Sequence, residues 1–132
     1  MGLTILSDDD ECVLYDGGYM QFTSFRQNIA ALYNLKLFKD LPSALMLYRM
    51  GNIQLLKDID QELKTLGGDA IIDLLMHSDC EGILTNKQCS DIKKSLDKHP
   101  YLGDNKLFSK NLKAFNKGLI YCIKNNIGCN FS

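Results

Sequence analysis

Apolar and polar positions along this chain alternate with two different periods. Near the start, Leu3-Thr4-Ile5-Leu6 and Cys12-Val13-Leu14-Tyr15 are short runs of β-formers, and Asp8-Asp9-Asp10-Glu11 lies between them. Two such runs around a polar turn predict a β-hairpin. A turn this acidic is expected to stand in water. Asp16-Gly17-Gly18 then reads as a breaker.

From there the period becomes helical. Phe22, Phe25, Ile29 and Leu32 share one face of a helix expected from about Phe22 or Thr23 to Asn34, with Thr23 or Ser24 as its cap. Pro42 suits an early helical position and suggests a helix over 43–50. Ile53, Leu56, Ile59 and Leu63 predict another over 53–66, ended by Gly67-Gly68. A short apolar helix from Ala70 to Met76 and a turn over 78–82 follow. Thr85 and Gln88 have the spacing of a capping box, which predicts a helix over about 86–98, closed before Pro100. The clearest pattern is the last. Over about 105–125, Phe108, Leu112, Phe115, Leu119, Cys122 and Ile123 share one face, and Lys106, Lys110, Lys113, Lys117 and Lys124 share the opposite one. Cys129-Asn130-Phe131 suggests a closing strand.

These elements predict an α+β fold, predominantly helical, with four to five helices packed on a small antiparallel sheet made from the chain ends. A length of 132 residues fits one domain, 1–132, able to fold without metals or disulfides. Five cysteines and no basic segment leading into an apolar run favour free thiols and a cytoplasmic location. No stretch is long enough for a membrane span. The net charge of −1 conceals a split: residues 1–85 carry 6 basic and 13 acidic side chains, and residues 86–132 carry 9 and 3. A polarised chain of this kind suits docking to a charged partner.

Candidate chemistry is sparse. With Gly82 at the sixth position of a calcium loop, the other ligand positions fall on His77, Asp79, Glu81, Thr85 and Gln88. That set lacks the first carboxylate and the final bidentate Glu that such a loop requires. His77, Cys80 and Cys89 are weak zinc candidates, because their spacing matches no common zinc module. His77 and Cys80 also suggest a nucleophile and base, although such pairs normally come from separate elements. No phosphate-binding glycine loop is present, so no cofactor is expected. Tyr19, Phe22, Phe25 and Arg26 are either core rings with a surface ion pair, or a pocket able to stack a base and grip an anion. The lysine row Lys106, Lys110, Lys113 and Lys117 is either a solvated face or a contact for an acidic partner. The scarcity of arginine and aromatic residues beside it argues against nucleic acid.

The segment Gly18-Tyr19-Met20-Gln21-Phe22-Thr23-Ser24-Phe25-Arg26 resembles a G-Y-x-x-F-x-x-F-R motif, and His77-Ser78-Asp79-Cys80-Glu81-Gly82 resembles an H-S-D-C-D/E-G turn. Together they are similar to segments of a family of small bacterial and phage proteins. That resemblance implies that residues 18–26 and 77–89 form one unit, and that the chain acts by binding, as immunity and counter-defence proteins do. The expectation is therefore a non-enzymatic binding protein of a bacterial or phage conflict system, acting on a protein partner. One alternative is a module that sequesters a nucleotide or small ligand through Tyr19, Phe22, Arg26, His77 and Asp79. The other is a zinc-dependent or Cys-His enzyme.

Overall fold

The structure is a computed structural model, and it describes residues 2–33, 46, 50–54, 57–58, 61, 70–75, 77 and 82–132. β1 (Gly2–Ser7) and β2 (Val13–Gly18) form the expected hairpin. β2 runs on through the predicted breaker, with Gly17 opposite Leu3 and Gly18 opposite Gly2. The glycines serve close approach here. A Cβ on Gly17 would stand 2.8 Å from both the Tyr15 hydroxyl and the Gln21 amide oxygen.

α1 (Tyr19–Leu32) follows without a loop, several residues before the expected start. Its first turn is closed by Gln21, whose side-chain oxygen accepts from the Gly18 N–H at 3.0 Å. Thr23 is already inside the helix and donates back to the Tyr19 carbonyl, so it is not the cap. α2 (Ala70–Leu75) matches its expected span. The helices expected over 43–50 and 53–66 lie largely outside the described residues.

Residues 82–84 are a strand, β3 (Gly82–Leu84), and not the end of a turn. Leu84 pairs with Cys129, and that edge position was hidden in a run too short to carry a period. α3 (Asn86–Asp97) opens on the predicted capping box. The Thr85 hydroxyl accepts from the Gln88 N–H at 3.2 Å, and the Gln88 side chain accepts from the Thr85 N–H at 2.8 Å. α4 (Lys106–Lys124) is capped by Asn105, whose side-chain oxygen accepts from the Phe108 N–H. The chain closes with β4 (Cys129–Phe131).

The fold is α+β, with four helices among the described residues. The sheet order is β2-β1-β4-β3, antiparallel throughout. The sheet is therefore not made from the chain ends alone, since β3 supplies one edge. A cluster of rings runs through the otherwise aliphatic core. Phe25 meets Tyr15, Phe108 and Phe115 at centroid distances of 5.4, 5.8 and 5.5 Å in edge-on geometry, the arrangement that ring quadrupoles favour. α4 lies close against β2 because Gly118 leaves room for Leu14. No helix among the described residues is long and apolar enough to cross a membrane.

Candidate functional site

Arg26 of the segment 18–26 meets His77 of the segment 77–89, through a contact inside the core. Arg26 is fully buried in α1. Its Nη1 donates to the carbonyls of Leu75 at 3.1 Å and His77 at 2.7 Å, so the guanidinium ties α1 to the end of α2. Its Cζ stands 4.5 Å from the centre of the Phe22 ring, a cation–π distance. Phe22 is itself 1% exposed. Neither Phe22 nor Arg26 presents a surface to a nucleotide in this arrangement, and Arg26 lies inside the fold rather than on its surface. Tyr19 is half-buried against the core.

His77 stacks on Phe131 at 3.9 Å with the planes 17° apart, and its Nε2 lies 2.9 Å from the Ile83 carbonyl oxygen. Gly82, at φ +113, fits against that imidazole, where a Cβ would stand 2.8 Å from Cε1. His77 thus locks β3 to the sheet. Asp79 and Cys80, which the ligand and metal readings need, lie outside the described residues.

The cysteines form a different group from the one expected. Cys89, Cys122 and Cys129 are all buried and unbridged, and Cys89 hydrogen-bonds both of the others. Burial pushes the Cys122 thiol up to about 12. The hydrogen bond to Cys89, followed by burial, also raises Cys129, so both stay protonated at neutral pH. The Cys122 Sγ reaches the Gly128 carbonyl at 3.4 Å. Cys122 and Cys129 are therefore packing thiols, whereas the hydrogen bond with Cys129 lowers the thiol of the fully buried Cys89. No group of three His, Cys, Asp or Glu side chains among the described residues is arranged to hold a metal ion. The calcium alignment fails on geometry as well, because Thr85 and Gln88 spend their oxygens on the cap of α3.

The acidic turn is not simply solvated. Asp9 accepts from the Ser7 hydroxyl at 2.6 Å and from the Tyr121 hydroxyl at 2.6 Å, and Asp8 accepts from the Gly128 N–H at 3.1 Å. The Ser7 hydroxyl, followed by Tyr121, holds the Asp9 carboxyl below the usual aspartate range. The same contact, seen from the phenol, pushes Tyr121 up to about 12.

The lysine face matches its expected position. Lys106, Lys110, Lys113 and Lys117 are exposed on α4, and none of them forms an ion pair among the described residues. By contrast, Lys93 pairs with Asp97 four residues on. Lys106, Lys110 and Lys113 line one shallow depression together with Asp104 and Asn105. Asn105 is shared with a second depression of about 250 Å³ between α1 and the start of α4. Met20 and Leu107 stand on its sides, 86% and 59% exposed, and Phe25 and Phe108 floor it. The helical periods did not reveal this groove. The one available signal was that Met20 and Leu107 are apolar yet out of phase with the buried faces of their helices.

No known protein family, curated protein or solved structure matches this chain.

Proposed function

We propose that this chain is a non-enzymatic binding protein that docks an acidic protein partner on the exposed face of α4. The observation that carries this reading is the row of four lysines, exposed and without a carboxylate partner among the described residues. Unpaired like charges held in one row repel one another, and that cost is relieved when an opposite surface arrives. His77, His99, Cys89, Cys122 and Cys129 add support, since each is taken up by stacking, carbonyl contacts or burial. The resemblance to bacterial and phage segments is what favours extending the proposal to a conflict system, with the chain as an immunity or counter-defence protein.

The test is a parallel cross-linking pull-down from bacterial lysate with the wild type and with the quadruple variant K106E/K110E/K113E/K117E. All four positions are exposed, so the variant is expected to melt near the wild-type temperature. The wild type should retain a defined partner at low salt and lose it progressively as ionic strength rises, because exposed charges are screened within about 8 Å at physiological salt. The variant should retain none. A partner held equally by both proteins, or by neither, overturns the reading.

A further inference from the structure

The groove between α1 and the start of α4 has features that the lysine face alone does not explain. Its floor is aromatic and its sides carry exposed apolar chains, yet no charged residue among the described residues lines it. At about 250 Å³ it is smaller than the roughly 300–1,000 Å³ of pockets that enclose whole small molecules. That size suits one side chain. Its rim is rigid where Gln21 and Asn105 are spent on helix starts. Elsewhere the rim carries the side-chain amides of Asn28 and Asn111. Amides beside an apolar hole can pair with the backbone of a bound peptide. Directly beyond Asn105 the surface becomes the depression lined by Lys106, Lys110 and Lys113, with Asp104 as its one acid.

We infer that this groove seats a single apolar side chain of an extended acidic peptide segment, whose carboxylates lie along the adjoining lysines. The inference rests on the proposed function and adds the partner's shape: an uncharged anchor flanked by acids. The spacing supports an extended strand. Lys106, Lys110 and Lys113 rise along the helix by about 6 and 4.5 Å per step. Alternate residues of an extended chain lie about 6.7 Å apart, a mismatch that flexible lysine stems absorb. A side chain buried in a well-packed pocket contributes strongly to such contacts, so the anchor should tighten a docking that the carboxylate–lysine contacts establish.

Fluorescence anisotropy with three labelled ten-residue probes tests this on the full chain. The first probe is a glutamate-rich peptide with one central Phe. The second replaces that Phe with Ser. The third keeps the Phe and replaces every Glu with Gln. The wild type should bind the first probe at least tenfold more tightly than the second, and bind the third weakly. Ser24 is exposed on the groove, so S24W should fill the hole and reduce the Phe preference to under twofold while leaving glutamate-dependent binding in place. L107S, which removes one side of the hole, should lower the same preference and gives a second readout. K106E/K110E/K113E should abolish binding of the first two probes. If the wild type binds the Phe and Ser probes equally, or S24W keeps the full preference, the anchor is overturned while acidic docking stands. If neither acidic probe binds the wild type, the inference is overturned as a whole.

Discussion

At the scale of single residues, Gly118 and Asp9 show how tightly positions are specified. A Cβ on Gly118 would stand 2.3 Å from Leu14 Cγ and 3.1 Å from Leu14 Cα, so the backbone of β2 blocks any simple escape. Gly118→Ala is expected to cost about 1–3 kcal/mol, the range for overpacked cores, read as a lowered urea midpoint with an unchanged slope. The Asp9 carboxyl lies below its usual range in the folded chain, so the stability it contributes is full above the unfolded value near 3.8 and fades as pH falls through the lower folded value. Asp9→Asn should therefore melt earlier than the wild type at pH 7. The gap should narrow below about pH 3.8 and close once Asp9 is protonated in the folded chain. Arg26 was legible as a charge but not as a core residue. The carbonyls that receive it belong to Leu75 and His77, about 50 positions further along the chain. No local pattern signals a partner at that separation.

At the scale of elements, local chemistry was readable where it is self-contained. The Thr85–Gln88 box, the buried face of α4 and the hairpin all follow from residues a few positions apart. Asn105 is equally local, although the expected helix of about 105–125 included it rather than ending on it as a cap: its side chain holds the Phe108 N–H at 3.0 Å. Its loss should cost about 1 kcal/mol, as caps typically do. Because Asn105 also forms the wall between the groove and the lysine depression, Asn105→Ala should lower the thermal midpoint by a few degrees and weaken the Phe-anchored probe in parallel. Two elements were misread for physical reasons. β3 has three residues, too few for an alternation to register, and it is fixed by pairing with β4 and by the His77 stack. The start of α1 was hidden because Gly17 and Gly18 signal a break by composition. Here their missing side chains allow a strand to pass directly into a helix.

At the scale of the whole molecule, the charge split between the two halves of the sequence becomes partly internal. Asp8 and Asp9 turn back onto the C-terminal end of α4, through Gly128 and Tyr121, so some of the acidic half is used to hold the fold together. The four lysines are not used in this way. That contrast is why charge loss on α4 should alter partner capture while sparing the melting temperature, whereas charge loss at Asp9 should do the reverse. Sequence periodicity exposed the lysine row, because a stripe on one helix is a one-dimensional property. It could not expose the groove, which exists only where two helices 80 or so positions apart come side by side.

The position of β4 also has a consequence in time. This strand lies inside the sheet, between β1 and β3, yet it is assembled from residues 129–131. A ribosome adding about 5–20 residues per second delivers it on the order of 5–20 s after the β1–β2 hairpin has emerged. Throughout that interval the nascent hairpin carries an open bonding edge on β1, the kind of edge that recruits stray strands. The sheet is completed only when residues 129–131 settle between their two neighbours, so its quality control belongs to that late step.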